Sequence, residues 1–135
     1  MPLITWSDSL SVHIKEVDSQ HQRLVQLVND VFDAVNAKKG NDILKKVLNE
    51  LIDYTKYHFA TEERLMNAHD YPERVKHKEE HDDLTKQVLD FQKKFKEGKA
   101  MLDILLMNFL KEWLIKHIIG SDKKFGPYLN SKGVS

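Results

Sequence analysis

The sequence predicts an all-α protein, an antiparallel up-down-up-down four-helix bundle with an N-terminal arm, and three observations lead there. Only 5 Gly and 3 Pro interrupt the 135 residues, and they fall where a helical periodicity of apolar side chains breaks. The stripes between those breaks suit helices of roughly 20–25 residues, about 30–38 Å long at about 1.5 Å per residue. The connections are short, which makes successive helices antiparallel neighbours.

Residues 1–18 have no sustained periodicity, yet Ile4, Trp6, Leu10, Val12, Ile14 and Val17 make them too apolar for a solvated tail. They are expected to form an ordered arm packed on the bundle, anchored by Trp6. The first helix, about 19–38, carries Leu24, Val25, Val28, Val31, Phe32 and Val35 on one face, with Gly40 as its stop. The second, about 42–66, starts at Asn41-Asp42 and presents Leu44, Leu48, Leu51, Thr55, His58, Glu62 and Leu65. The third, about 72–96, opens at Tyr71-Pro72, where a proline suits a first turn, and aligns His77, His81, Leu84, Val88, Phe91 and Phe95 before Gly98. The fourth, about 100–119, carries Leu102, Leu106, Leu110, Trp113, Leu114 and His117 up to Gly120, and Gly126-Pro127 is expected to close the helical part of the chain. With no repeat or linker, residues 1–135 read as a single domain.

Composition narrows the function. Lys+Arg and Asp+Glu are both 21, so there is no basic excess to neutralise nucleic-acid phosphates or coat an anionic membrane. Without cysteine there is no disulfide, thiolate nucleophile or Cys-ligated metal. The most apolar stretch, Met101 to Ile119, is broken by Asp103, Asn108, Lys111, Glu112 and Lys116, short of the roughly 20 apolar residues of a membrane span. Residues 1–6 do not resemble a secretory signal. A soluble, cytoplasmic monomer, with no nucleic acid and no membrane insertion, is the expectation.

The informative feature is polar residues on apolar faces. His58, Glu62, His77, His81 and His117 lie on stripes otherwise built from Leu, Val and Phe, His21 opens the first helix's stripe, and Asp122 follows the fourth. Left unpaired in a core, seven such groups at about 1–3 kcal/mol each would rival a whole folding free energy of about 5–15 kcal/mol. His58 and Glu62, and likewise His77 and His81, are one turn apart on a single face, which is metal-ligand geometry. His117 and Asp122 would be about 140° apart in a regular helix, so Gly120 between them marks either a helix end or a π-type widening that swings the carboxylate inward. In antiparallel topology all seven fall at one end of the bundle. Five imidazoles and two carboxylates exceed a structural zinc's ligands and suit two transition-metal ions better than calcium or magnesium. His13 and His69 break no stripe and are expected at the surface, while Met66, Met101 and Met107 read as gap-filling core.

The ordered set His21, His58-xxx-Glu62, His77-xxx-His81 and His117-xxxx-Asp122, with Asp18-Ser19-Gln20-His21, His58-Phe59-Ala60-Thr61-Glu62 and Trp113-Leu114-Ile115-Lys116-His117-Ile118 around it, resembles the hemerythrin family over nearly the whole chain, its single-domain bacterial branch in particular. The resemblance implies two non-haem iron ions with a bridging oxo or hydroxo group. It places His77, His81 and His117 on one iron and His21 and His58 on the other, with Glu62 and Asp122 bridging. It further implies reversible O2 binding, for oxygen storage, delivery or buffering, without catalytic turnover. Phe59, Trp113, Leu114 and Ile118 are expected to wall the O2 pocket. No acceptor protein follows from the sequence. The alternatives are an enzyme that reduces O2, peroxide or nitric oxide at the same centre, and a module that senses O2 or iron for a partner. The chain shows neither a separate acid–base pair nor an output domain.

Overall fold

A computed structural model describes residues 3–99 and 104–135. A 3-10 turn, Asp8–Leu10, interrupts the arm, and the helices are α1 (Lys15–Asn36), α2 (Asn41–Ala68), α3 (Arg74–Lys96), α4 (Ile104–His117) and α5 (Lys123–Ser131). A π segment, Ile118–Asp122, joins α4 to α5 without a break. There is no strand among the described residues. The proposed start of the fourth helix near Ala100, and Met101, lie outside the described residues. α1 packs on both α2 and α4, and α2 on α3. Trp113 Nε1–H closes the ring by donating to the Leu84 carbonyl of α3 at 3.3 Å.

Helix ends differ from the sequence reading for identifiable reasons. α1 starts four residues earlier than Ser19 because Asp18 faces back to the arm, its carboxylate accepting the Val12 N–H at 2.8 Å and the Ser11 hydroxyl at 2.5 Å. It ends before Gly40. Lys38 takes the left-handed conformation (φ 53°), while Lys39 N–H and Lys38 N–H return to the carbonyls of Ala34 and Val35, each at 3.1 Å. Gly40, at φ −66°, instead precedes α2 and accepts from Leu44 N–H at 3.1 Å. Gly98 closes α3 as expected (φ 72°), its N–H donating to the Phe95 carbonyl at 3.1 Å. α3 begins at Arg74 rather than Tyr71-Pro72, because Tyr71 N–H is spent on the Met66 carbonyl that terminates α2, at 3.0 Å.

The largest correction concerns Gly126-Pro127, which does not end the helical region but lies inside α5. Gly126 is there for clearance: a Cβ would fall 2.3 Å from the Val12 carbonyl oxygen of the arm. Pro127 forfeits one backbone donor, and α5 persists because Phe125 and Leu129 are fully buried.

The arm's anchor combines packing and hydrogen bonds. Trp6 packs partly buried on the main cluster, and the buried Asn29 side chain clamps the Ile4 backbone N–H and carbonyl, both at 2.9 Å. The core falls into two apolar clusters. The larger runs through Leu24, Leu51, Phe59, Leu110, Leu114 and Ile118. The smaller, at the π-segment end, joins Val12, Ile14 and Val17 to Leu65, Met66, Tyr71, Phe125 and Leu129. In sequence, His21 falls between Val17 and Leu24, and Glu62 between Phe59 and Leu65, so a polar layer separates the clusters. Met66 and Met107 are buried core, His13 is exposed and His69 is half-buried.

Candidate metal centre

α1 supplies His21, α2 His58 and Glu62, and α3 His77 and His81. α4 ends on His117 and the π segment on Asp122. The π turn resolves the alternative left by Gly120: the extra residue per turn brings Asp122 back to the bundle interior, where it is fully buried. His21, His58 and Glu62 are also fully buried, and His77, His81 and His117 are at most 4% exposed.

The structure brings all seven side chains together. Their donor atoms fall into two clusters, Glu62, His77, His81, His117 and Asp122 in one and His21, His58, Glu62 and Asp122 in the other, within 4.8 Å of one another in each. Glu62 and Asp122 belong to both. Asp122 Oδ2 lies 2.9 Å from His21 Nε2 and Oδ1 lies 3.0 Å from His77 Nε2. Glu62 Oε2 lies 3.3 Å from His58 Nε2, and Oε1 lies 2.9 Å from His81 Nε2. Thus each carboxylate offers one oxygen to each cluster.

Despite these distances, His21 Nε2, His58 Nε2, His77 Nε2, Glu62 Oε2 and both Asp122 oxygens have no hydrogen-bond partner. Buried polar atoms are seldom left so. These atoms gather instead with their neighbours into two compact groups of potential ligand atoms, each within 4.8 Å, as holding a cation would require. Imidazole nitrogen with carboxylate oxygen is the donor set of a first-row transition metal. The residues therefore fit a pair of such ions.

Electrostatics agree. Burial disfavours the charged form of His21 and His77, yet the close carboxylates of Asp122 and Glu62 overcome it and raise both to about 9. His117 rises well above its ordinary value, burial again being overcome by Asp122, Glu62 and Glu80. Burial would push Glu62 and Asp122 up, but the surrounding imidazoles hold both carboxyls well below the usual range. Without a cation the negative charge must be met by protons on the histidines.

Sequence reasoning missed a set of residues that orient the imidazoles. Gln20, buried on α1, accepts His58 Nδ1–H through Oε1 at 2.7 Å while its Nε2 donates to Thr61 Oγ at 3.2 Å, which fixes the amide and leaves His58 Nε2 as the free donor atom. Glu63 accepts His81 Nδ1–H at 3.2 Å and Glu80 accepts His117 Nδ1–H at 2.6 Å. The hydrogen bond from His117 holds the Glu80 carboxyl down at about 2 against partial burial. Gln20, Glu63 and Glu80 each adjoin a clustered residue in sequence, about 100° off its stripe, and that adjacency was the available signal.

A narrow apolar void, too tight to hold a water molecule, borders the His21 and His58 side, lined by those residues with His117, Leu24, Phe59, Leu84, Trp113 and Leu114. Three of the four expected wall residues line it. Ile118 does not; one residue beyond His117, it is fully buried in the core, and Leu24 and Leu84 stand in the wall instead. Because the Trp113 N–H is committed to Leu84, the apolar walls present no free donor. On the opposite side a polar surface cleft lined by Tyr71, Glu73, Lys76, His77, Glu80, Gly120, Ser121 and Lys124 approaches the cluster.

Comparison with known proteins agrees with this arrangement. The hemerythrin HHE cation binding domain matches residues 12–129. A bacteriohemerythrin of Methylococcus capsulatus is 35% identical over 132 residues, covering 97% of this chain and 100% of that protein. One of Stenotrophomonas maltophilia is 34% identical over 125 residues, covering 93% and 80%. Solved hemerythrin structures superpose closely: a wild type at TM-score 0.89 covers 94% of this chain and 98% of its own, and a leucine-to-alanine variant at 0.90 covers 96% and 98%, both 35% identical. By fold, buried cluster and sequence, the chain belongs to the hemerythrin family.

Proposed function

We propose that this protein binds O2 reversibly at a non-haem di-iron centre and serves to store, deliver or buffer oxygen. The observation that carries the reading is the pair of buried donor clusters sharing Glu62 and Asp122, with six of their facing atoms, among them both Asp122 oxygens, unpartnered. His77, His81 and His117 would hold one ion, His21 and His58 the other, with Glu62 and Asp122 bridging. Two iron ions held by these residues, with an oxo or hydroxo bridge, would supply the reversible redox chemistry that O2 binding needs, one electron from each.

The chain's own residues supply the rest. The His21–His58 side has one imidazole fewer than its partner side, and the apolar void opens against it. Phe59, Leu84, Trp113 and Leu114 keep water from that position and offer it no proton, which opposes loss of reduced oxygen as peroxide. Gln20, Glu63 and Glu80 keep three imidazoles in the tautomer that leaves Nε2 free. The apolar wall residues Phe59, Leu84 and Leu114 carry no titratable group, which supports the carrier reading.

An anaerobic titration of the ferrous-loaded protein tests this. The expected result is one O2 taken up per pair of irons and recovered on degassing. Absence of uptake, or steady consumption of O2 in the presence of a reductant, would contradict it.

A further inference from the structure

The carboxylate of Glu80 on α3 spans the π segment. One oxygen accepts His117 Nδ1–H at 2.6 Å, at the last residue of α4, and the other accepts the Ser121 hydroxyl at 2.6 Å, one residue before Asp122. Both are as short as charge-assisted bonds become, although the Glu80 side chain is 35% exposed in the polar cleft. A π turn is a rare conformation that appears mostly as a single-turn bulge inside an α-helix. Its middle here has no packing neighbour: around Gly120 no atom stands within 4 Å of where a Cβ would be. The turn is thus pinned inside by buried Ile118 and Asp122 and outside by Glu80. The other titratable side chains facing this cleft are Tyr71, Glu73, Lys76, Lys124 and the cluster member His77, and the turn's side-chain hydrogen bond across the cleft is the one from Ser121 to Glu80.

We propose that Glu80 is a positioning residue for the metal centre, which orients His117 through Nδ1 and, by gripping Ser121 as well, fixes the π turn that delivers Asp122 to both clusters. His58 and His81 have orienting partners too, and Gln20 likewise bonds Thr61 next to Glu62, but that contact falls on a regular α-helix, whereas Glu80 grips the irregular π turn. Glu80 couples two ligands on one element and so bears on both ions. This inference rests on the metal reading above.

Zinc, being diamagnetic and competent for the same donors, is the probe. The wild type, Glu80→Gln, Glu80→Ala and Ser121→Ala are titrated with Zn2+ against a chromophoric chelator, and the hydrogen bond of the His117 Nδ1 proton is read from its NMR shift and solvent exchange in the loaded protein. Glu80→Ala is expected to weaken zinc binding about 10–100-fold and to leave that proton in fast exchange with water. Ser121→Ala is expected to weaken binding by a smaller factor while the proton stays protected. Glu80→Gln, which keeps an acceptor for His117 and a partner for Ser121, restores most of the affinity. A merely structural role would lower the melting temperature without exposing that proton. Wild-type affinity in both Glu80→Ala and Ser121→Ala, or a His117 Nδ1 proton equally protected in Glu80→Ala, would overturn the proposal. If Glu80→Ala does not fold, wild-type affinity in Ser121→Ala alone would do so. A wild-type chain that takes up no zinc would instead contradict the metal reading itself.

Discussion

The two sides of the cluster are built from opposite materials. On the His77–His81–His117 side, two imidazoles lean on the carboxylates of Glu63 and Glu80, and a polar cleft between Lys76 and Lys124 reaches in from solvent. On the His21–His58 side, the one orienting partner is the neutral amide of Gln20, His21 Nδ1 has no partner, and the neighbouring space is a narrow apolar void with no room for water. Anionic partners strengthen imidazole donation and favour a fully ligated ion, while a dry wall favours an open position for a small apolar gas. The asymmetry lies more in these neighbours than in the ligands, since Glu62 and Asp122 serve both sides.

That shared pair gives the largest expected effect. Glu62→Ala or Asp122→Ala should abolish binding of both ions, whereas His58→Ala should spare the three-histidine side; metal content after gel filtration separates these outcomes. Leu114→Ala enlarges the void, so it is expected to cost about 2–5 kcal/mol in denaturant unfolding and to speed autoxidation of the oxygenated protein. Unchanged autoxidation would remove Leu114 from the pocket wall's role. Gln20→Leu removes the amide partner of His58 and should weaken binding about 10–100-fold, confined to the two-histidine side, as a metal titration resolving two sites would show.

The smallest expected effect is on pH dependence. In the metal-free protein His21 and His77 are raised from 6.5 to about 9, so the stability they contribute is complete below pH 6.5 and lost as pH rises to about 9. The depressed carboxyls of Glu62 and Asp122 contribute above their ordinary values of 4.5 and 3.8 and lose that contribution in acid. Metal binding needs neutral imidazoles and has the opposite slope, so the melting-temperature gain on adding Zn2+ should grow from pH 6.5 to 9 and acid should release metal. A metal-free melting temperature that rises over that interval would contradict the assignment.

How far the sequence could be read depended on the kind of signal. His58 and Glu62 stood out because they interrupt a leucine face one turn apart, a contrast no packing argument absorbs. Gln20 and Glu80 were invisible to the same method. A polar residue off the stripe looks like solvated surface until a neighbouring helix is seen against it. Gly126-Pro127 misled because local propensity reads it as a stop, whereas the arm's approach at Val12 decides what must stand at Gly126. Gly120 signalled a backbone irregularity, but only the observed π segment chose between a helix end and a widened turn.

The account's central claim is that Glu62 and Asp122 tie two ions into one site. Calorimetric titration of the metal-free chain with a divalent ion under anaerobic conditions tests it directly, repeated on Glu62→Ala. Two ions per chain in the wild type, and none retained by the variant, is the expected result. A single ion per chain, or a variant that still holds one ion at wild-type affinity, would contradict it.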